Sequence, residues 1–210
     1  MPNIEPFESL TEHYDQWFEE HSAVYAEELE ALKALLPDFD NGIEVGVGTG
    51  RFAAPLGIRT GLEPSEKMAQ IARGRGIEII PGTAEAMPIP AESHDFVLMV
   101  TTICFVDNAE TALSEIYRIL RPGGSVIIGF VDKETPLGRH YQAHKAQSRF
   151  YKTARFFSAR EVETLLKKSG FVRCAVRQTL FGETLASMRG GIRPGYGEGA
   201  FVAMRCEKDA

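Results

Sequence analysis

The sequence predicts an α/β fold, a doubly wound, Rossmann-like and mostly parallel sheet with helices on both faces. Short apolar strand patterns alternate with helical patterns between residues 43 and 131, which is typical of βαβ units. A glycine-rich loop follows the first of these strands, and residues 95–100 form a nearly continuous apolar run. Such a run indicates a strand that is covered on both faces. Because ligands of these sheets bind at the carboxyl ends of the strands, we expect the binding site beside the glycine loop.

Length and charge limit the classes of function. The 210 residues suit one domain, and the net charge of −6 argues against a nucleic-acid partner, which needs a basic face. No stretch approaches the roughly 18 apolar residues of a membrane span, and the first residues lack a signal-peptide pattern. We therefore expect a cytoplasmic protein without a membrane partner. Cys104, Cys174 and Cys206 fit a reducing compartment better than a disulfide framework.

The predicted elements divide the chain into four segments. Residues 7–36 have one helical pattern, and strands are predicted near 43–47, 60–63, 77–80, 95–100, 125–131, 171–181 and 199–205. Helices are predicted at 52–56, after the N-cap Ser65, from 107 to the Pro-Gly-Gly at 122–124, and after the capping box of Ser158 and Glu161. We assign 1–40 to an N-terminal helical segment and 41–131 to a ligand-binding core. Residues 132–156 are a helical insertion, and 157–210 hold a last helix and two strands.

The glycine loop is the strongest local signal. Gly46, Gly48 and Gly50 let the backbone turn tightly and approach a ligand closely, and a following helix would direct its N–H groups toward that ligand. A dinucleotide fingerprint, G-x-G-x-x-G, would need a glycine where Arg51 stands. The spacing disfavours a nicotinamide-dependent oxidoreductase without removing it. A glycine-rich turn that binds nothing is the other alternative.

An acidic residue at the end of the second strand points to adenosine. Glu63 lies where a carboxylate can accept hydrogen bonds from both ribose hydroxyls, with Pro64 and Met68 on the turn and helix behind it. Nicotinamide and methyl-donor enzymes share this feature, so it indicates the ligand rather than the reaction. Ala84 and Glu85, after the third strand, could meet the adenine edge, although a loop glutamate is often simply solvated.

Four segments in order carry a family resemblance. They are Glu44-Val45-Gly46-Val47-Gly48-Thr49-Gly50, Leu62-Glu63-Pro64-Ser65, Gly82-Thr83-Ala84-Glu85-Ala86-Met87-Pro88 and Leu120-Arg121-Pro122-Gly123-Gly124. Over about residues 41–131 the chain resembles the class I S-adenosylmethionine-dependent methyltransferases of the type 11 kind. The resemblance implies a seven-stranded sheet with a C-terminal antiparallel strand pair. It also implies S-adenosylmethionine as the methyl donor and S-adenosylhomocysteine as the product.

The same resemblance implies roles for single residues. In that family the glycine loop backs the methionine part, the second-strand acid holds the ribose, the third-strand loop meets the adenine, and residues after the fourth strand line the active site. Carried onto this sequence, these are Glu44, Gly46, Val47 and Gly48; Glu63; Ala84 and Glu85; and Thr101, Thr102 and Phe105. The family's first helix often closes over the cofactor as a lid, which suggests Trp17 and Tyr14 there, with core packing as the alternative. One departure is the stretch 51–62, twelve residues, which leaves room only for a short helix after the loop.

Methyl transfer from a sulfonium needs alignment more than a catalytic side chain, because the donor already carries the activated group. A general base is useful only for an acceptor that arrives protonated. Weak candidates are His21, His140 and Tyr14, with His144 and Tyr141 as further possibilities. His140 and His144 are four residues apart but lack an accompanying glutamate, so no metal site is predicted. Cys104 follows the fourth strand as a structural thiol or, alternatively, a reactive one.

The expected function is therefore methyl transfer to a small-molecule acceptor by a monomer or a homodimer. Residues 100–105 lack the Asn-Pro-Pro-Tyr-like segment of nucleic-acid and glutamine methylation. A non-catalytic adenosine-ligand protein and an NAD-dependent oxidoreductase remain as alternatives. The acceptor would be set by residues 132–151 and by the glycine-rich segment near 190–199.

Overall fold

The computed structural model describes residues 4–210. The first three residues of the N-terminal segment lie outside this range, and so does the part of the signal-peptide expectation that rests on them. The strands are β1 (Gly42–Val45), β2 (Thr60–Glu63), β3 (Glu78–Pro81), β4 (His94–Val100), β5 (Leu120–Val131), β6 (Val172–Thr179), β7 (Arg193–Pro194) and β8 (Phe201–Glu207). The helices are α1 (Glu5–Ser9), α2 (Thr11–Glu20), α3 (Ser22–Lys33), α4 (Glu66–Gly74), α5 (Ala109–Ile119), α6 (Pro136–His144) and α7 (Ala159–Lys168).

All eight strands form one sheet in the order β3-β2-β1-β4-β5-β8-β6-β7. The first five in this order are parallel, whereas β8, β6 and β7 pair antiparallel. The chain runs outward from β1 to β2 and β3, then returns to place β4 on the other side of β1. The predicted fold class is confirmed. The sheet has eight strands instead of seven because the two-residue strand β7 adds to the edge.

The helices cover both faces of the sheet. On one face α5 and α7 pack Leu113, Ile116 and Leu166 against the strands. On the other face α2 and α3 contribute Phe18 and Leu32 to a second apolar cluster. The near-continuous apolar run of β4 is buried between them, as its sequence predicts. Within residues 4–210, no helix has the length and apolar character that crossing a membrane requires.

Local capping signals in the sequence are confirmed in the structure. The Ser65 side chain accepts the Met68 N–H at 3.3 Å and begins α4. Ser158 and Glu161 form the reciprocal capping box at the start of α7. These caps satisfy amide groups that the first helical turn cannot satisfy, and they fix where each helix leaves the sheet.

Two predicted helices differ from the structure. The helical pattern of residues 7–36 is divided into three helices, with non-helical backbone at Leu10 and His21. The predicted helix at 52–56 is wrong, because after the glycine loop there is only a 3₁₀ turn, Ala54–Leu56. Gly57 ends that turn with φ of +77°. The insertion at 132–156 contains α6 and two 3₁₀ turns, in agreement with its helical prediction.

The expectation of three free cysteines is also wrong. Cys174 and Cys206 form a disulfide, with their Cα atoms 4.2 Å apart on the adjacent strands β6 and β8. The two residues are separated by 32 positions, so only the antiparallel pairing of the strands brings them together. Cys104 alone is free.

Candidate functional site

A cleft opens at the carboxyl ends of β1, β2 and β4, beside the glycine loop. Ten of the predicted binding residues line it, namely Gly46, Gly48, Glu63, Pro64, Met68, Ala84, Glu85, Thr101, Thr102 and Phe105. Ile4 and Phe7 also line it, and the sequence analysis had not selected them. They come from the N-terminal helical segment, whose contact with the cleft cannot be derived from local spacing. The site lies where the strand order reverses, as the fold class requires.

Two glycines shape the floor of the cleft. Gly46 and Gly48 have φ of +69° and +54°, a conformation that costs any other residue energy. A Cβ on Gly46 would come within 2.3 Å of the Thr102 side chain. A Cβ on Gly48 would instead meet only the Tyr14 ring, at 3.8 Å, across open cleft. Gly48 therefore leaves room for a ligand that a larger side chain would fill.

Glu63 forms the wall next to this floor. Its carboxylate accepts the Gly48 N–H through Oε2 and the Ser65 N–H through Oε1, both at 2.9 Å. Burial raises the pKa of Glu63 to about 7, although these two hydrogen bonds oppose the shift. The side chain is 8% exposed and borders the cleft. Each oxygen keeps a second lone pair with which to accept a ligand hydroxyl.

Three of the predicted binding residues do not line the cleft. Glu44 is 1% exposed beneath the glycine loop, where burial holds its pKa well above the usual range. Its Oε2 has no hydrogen-bond partner among residues 4–210. The Val47 side chain packs against Gly61 in the core, so only its backbone is near the loop surface. Trp17 lines a neighbouring cavity instead.

The loops around the cleft are braced by their own polar side chains. The Glu85 carboxylate accepts the Asp107 N–H at 2.7 Å, which fixes the segment before α5. The Thr102 hydroxyl donates to the carbonyl oxygen of Gly46 at 3.2 Å and to that of Val100 at 3.0 Å. These contacts hold the ends of β1 and β4 in a fixed spacing before any ligand binds.

A second cavity of about 440 Å³ adjoins the cleft, and we call it the aromatic cavity. It lies between the N-terminal helices and the insertion at 132–156. Its walls include the rings of Phe7, Tyr14, Trp17, Phe18, Phe52, Phe105, Tyr141, Phe150 and Tyr151. Cleft and cavity share four residues, Phe7, Tyr14, Thr101 and Phe105. A molecule in the cavity therefore reaches the cleft at these residues, which form the junction.

Thr101 at the junction has an unusual backbone. Its φ is +51°, a left-handed conformation that is a genuine outlier for a β-branched residue. The Thr101 N–H donates to the Gly129 carbonyl oxygen at 2.7 Å, which holds the strained residue at the end of β4. Strain of this kind costs about 1–3 kcal/mol and clusters at functional sites. The observation marks the junction as a candidate site of chemistry.

The structure separates the three candidate bases. Tyr14 lies at the junction, but burial, reinforced by Glu44 and Glu63, raises its pKa, so the phenol keeps its proton at neutral pH and does not act as a general base. His21 lines neither space, and its ring stacks on Trp17 at 4.6 Å. His140 lines the aromatic cavity beside His144, with ring centroids 4.2 Å apart.

The described side chains favour neither a bound metal ion nor a reactive thiol at the site. No three His, Cys, Asp or Glu side chains converge in the part of the chain that the structure describes. Burial raises the pKa of the Cys104 thiol to about 12, and its Sγ contacts the Thr101 carbonyl oxygen at 3.3 Å. A thiol that stays protonated is a poor nucleophile, which favours the structural alternative for Cys104.

A buried carboxylate in the aromatic cavity was missed by the sequence analysis. Glu28 on α3 is 5% exposed and lines the cavity, and burial raises its pKa to about 8. The helical period places it one turn from Val24 and Leu32, on the buried face of α3. A glutamate at an apolar position of an amphipathic pattern is the signal that could have identified it.

An arginine pair fastens the N-terminal helices to the glycine loop. Arg51, which breaks the dinucleotide fingerprint, binds both carboxylate oxygens of Asp15 on α2, at 2.9 and 2.7 Å. Arg75 binds the same two oxygens at 2.9 and 2.8 Å and also donates to the carbonyl oxygen of Thr49 at 2.6 Å. Burial alone would raise the pKa of Asp15, but these hydrogen bonds hold it well below its usual range.

Comparison with known proteins places these features in a family. Residues 43–128 match the model of the type 11 methyltransferase domain. An uncharacterised protein of Methanocaldococcus jannaschii is 43% identical over 202 residues, which is 96% of this chain and 98% of that protein. A solved SAM-dependent methyltransferase from Thermotoga maritima, described as a possible histamine N-methyltransferase, is 51% identical with a TM-score of 0.95. It covers 98% of this chain, and this chain covers all of it.

A more distant structure shares the fold. Phosphoethanolamine N-methyltransferase 2 of Haemonchus contortus, solved with S-adenosyl-L-methionine, has a TM-score of 0.62 at 18% identity, over 88% of this chain and 53% of its own. At that identity the likeness concerns the fold alone. The domain match and the full-length relatives carry the assignment, and the order of glycine loop, second-strand acid and third-strand loop agrees with it. The chain belongs to the class I S-adenosylmethionine-dependent methyltransferases of the type 11 kind.

Proposed function

We propose that the protein transfers a methyl group from S-adenosylmethionine, held in the cleft, to a small molecule held in the aromatic cavity. The observation that carries this proposal is the junction, where a cleft suited to adenosine meets the aromatic cavity. When bound, the donor supplies a methyl group on a sulfonium sulfur. The acceptor forms a bond to that carbon while the carbon–sulfur bond breaks, which leaves S-adenosylhomocysteine.

The residues of the cleft fit the donor. Glu63 presents two carboxylate oxygens to a pair of ribose hydroxyls, and Gly48 leaves the open floor over which the ligand would lie. Met68 and Ala84 supply apolar surface for the adenine ring. Thr101 and Thr102, with Phe105, border the end that opens to the cavity. Glu44 and Val47 support the loop from below instead of touching the ligand.

Catalysis then depends mainly on alignment. A positioned pair of reactants can lower a barrier by roughly 7–11 kcal/mol. Tyr14 and Phe105 line the junction, and we propose that the N-terminal helices and the insertion reduce the access of water to both spaces once ligands are bound. Of the histidines, His140 is placed to accept a proton from a molecule in the cavity. We assign no obligatory general base.

The acceptor is proposed to be a small molecule, because the cavity has a volume of about 440 Å³ and most of the residues that line it carry rings. The description of the Thermotoga maritima relative as a possible histamine N-methyltransferase makes an amine one candidate. A nicotinamide-dependent oxidoreductase is disfavoured by Arg51 at the fingerprint position. A non-catalytic adenosine-ligand protein is disfavoured by a second cavity that opens at the donor end of the cleft. We further propose a cytoplasmic monomer or homodimer, built as one domain with residues 4–40 as its lid.

Calorimetry with S-adenosylmethionine, S-adenosylhomocysteine and NAD tests the donor. We expect micromolar binding of the first two and none of NAD. Transfer of an isotopic methyl group into a metabolite pool then tests turnover. Donor binding without any labelled product across that pool would favour the non-catalytic alternative. NAD binding in place of the methyl donor would remove the proposal altogether.

A further inference from the structure

Glu28 is a buried acid without a counter-charge. No hydrogen bond or ion pair joins its carboxyl group to another residue within the described range 4–210, and loss of hydration is the sole cause of its raised pKa. Its neighbour Glu27, by contrast, accepts hydrogen bonds from Thr179 and the Gly191 N–H. An uncompensated carboxylate in an apolar site is costly, so such a group either holds a proton or binds a cation.

Whether a protein cation fills this role depends on the side chains that line the aromatic cavity beside Glu28. None of the residues that line the aromatic cavity in the described chain is a lysine or an arginine. Its polar lining consists of imidazole, phenol, hydroxyl and amide groups, from His13, Tyr14, Thr101, His140, Tyr141, His144, Gln147, Ser148 and Tyr151. A positive charge at Glu28 would therefore come from the ligand.

The walls of the cavity also favour an organic cation. Aromatic rings attract an ammonium group through their negative faces, most strongly when water is excluded. Trp17 and Phe18 on α2, with Tyr141 and Phe150 from the insertion, present such rings to the same space as Glu28. A metal ion would require further oxygen ligands, and no cluster of acidic or histidine side chains accompanies Glu28 in residues 4–210.

The position of Glu28 separates binding from chemistry. Glu28 lines the aromatic cavity but not the cleft, whereas Tyr14, Thr101 and Phe105 line both. A group paired with Glu28 is thus held in the aromatic cavity and outside the cleft, and another part of the same molecule can reach the methyl donor at the junction. This arrangement suits an anchor for the acceptor better than a general base at the reacting atom.

We propose that the methyl acceptor is a small organic amine whose protonated nitrogen pairs with Glu28, while its nucleophilic atom lies at the junction beside Thr101. The inference rests on the proposed function, because it assigns the occupant of the cavity next to the donor. Specificity then comes from two requirements. The acceptor carries a cationic end for the carboxylate and an apolar or aromatic body for the rings.

Proton linkage gives the proposal a distinctive signature. With a pKa of about 8, Glu28 is mostly protonated at pH 7 in the free protein, and a bound ammonium group would displace that proton. His13, His140 and His144 face the same cavity and are unchanged in Glu28→Gln, whereas Tyr14, Tyr141 and Tyr151 have raised pKa values and stay neutral. The part of the proton release that depends on Glu28 is the part that Glu28→Gln removes.

The test uses three probes with the same ring and different charge, namely phenethylamine, 2-phenylethanol and 3-phenylpropanoate. Each is titrated calorimetrically into the full-length protein at pH 7, with and without saturating S-adenosylhomocysteine. We expect phenethylamine to bind at least tenfold more tightly than the alcohol, and the carboxylate to bind most weakly. Equal affinity for amine and alcohol, or preference for the alcohol or the acid, overturns the proposal without need of any variant.

Variants then locate the charge selection. Glu28→Gln should lower phenethylamine affinity about tenfold or more, leave 2-phenylethanol binding unchanged and reduce the proton release measured in buffers of different ionisation enthalpy. Glu30→Gln removes a charge from an exposed position of the same helix and should change none of these. A Glu28→Gln protein that retains both amine preference and proton release contradicts the assignment. S-adenosylhomocysteine affinity, measured in the same proteins, reports separately on the proposed donor site.

Discussion

The cleft and the aromatic cavity meet at Thr101, yet they are built in opposite ways. The cleft consists of strand ends and short loops, and its polar contacts are largely between a side chain and the backbone, as with Glu63 and Gly48. The cavity consists of side chains from α2, α3 and the insertion, which come from segments more than a hundred residues apart. The shape of the cleft is thus fixed by the sheet, and the shape of the cavity by the packing of helices.

This difference indicates how the two spaces tolerate change. A site made of backbone depends on a few glycines and one carboxylate, so single substitutions there should be severe. A cavity lined by many rings can lose one ring and keep most of its lining. Its selectivity then depends on the few polar groups among them, of which Glu28 is the most deeply buried. The following substitutions test whether the two spaces are in fact independent.

The largest effect is expected from Gly48→Val. Its side chain would occupy the floor of the cleft, and we expect S-adenosylhomocysteine affinity to fall roughly a thousandfold or more, about 4 kcal/mol. Gly57→Val is the matched control, because Gly57 has a similar positive φ of +77° but open space around it. Both variants should lose comparable stability in thermal unfolding, while only Gly48→Val loses ligand. Equal loss of ligand in both would assign the effect to backbone strain.

The next effect concerns the pH dependence of stability and belongs to the cavity. The pKa of Glu28 is raised to about 8 in the folded protein, so its stabilising contribution is complete below about pH 4.5 and is lost as the pH rises through 8. Glu28→Gln should match the wild type near pH 5 and exceed it by about 4 kcal/mol near pH 8.5. Urea unfolding at both pH values measures this difference, with Glu30→Gln expected to follow the wild type. A Glu28→Gln protein with the wild-type pH slope would mean that water reaches the carboxylate.

Glu63→Ala should weaken donor binding by roughly 1.5–3 kcal/mol, since hydrogen bonds to a charged group would be lost. The pKa of about 7 for Glu63 also predicts how donor affinity depends on pH. Ribose hydroxyls favour the ionised carboxylate, so wild-type affinity should fall as the pH drops below 7, and the variant should not show this fall. Calorimetry between pH 5.5 and 8 checks both statements. Unchanged affinity in a folded variant would remove Glu63 from the site.

The smallest effect is expected in α2, whose Tyr14 lines both the cleft and the aromatic cavity. Asp15→Asn weakens the attachment of α2 to the glycine loop and should cost about 1–2 kcal/mol of stability and raise hydrogen exchange in α2. Glu19→Gln is the control, because Glu19 contacts the same Arg51 but is 70% exposed. Donor and product should increase protection of α2 in the wild type and less so in Asp15→Asn. Identical protection with and without ligand would make α2 ordinary core packing.

Many of the residues that line the cleft could be named from the sequence because their signals are local. The spacing from Gly46 to Glu63 and the caps at Ser65 and Ser158 each depend on a few neighbouring residues. Those features specify where strands end, and the strand ends carry the site. The disulfide between Cys174 and Cys206 was missed, since it depends on which strands pair.

The cavity could not be predicted in the same way. Phe7 and Phe150, 143 positions apart, have ring centroids 5.7 Å apart, a contact that no local pattern encodes. The breaks at Leu10 and His21 were also missed, because the apolar period continues across them while tertiary packing redirects the chain. Glu28 could have been selected from the sequence as a polar residue on an apolar helical face. Only the structure shows that its carboxyl group has no hydrogen-bond or ion-pair partner within residues 4–210.

The 3₁₀ turn after the glycine loop also bears on which cofactors the cleft would disfavour. The loop is followed by a single 3₁₀ turn and therefore lacks the aligned dipole of a longer helix, which helps other folds to bind a pyrophosphate. A dinucleotide would bring its phosphates close to the carboxylate of Glu63, whereas a sulfonium compound brings a positive charge. We therefore expect the shortened connection to disfavour phosphate-bearing cofactors, so that millimolar NAD or ATP should fail to displace S-adenosylhomocysteine.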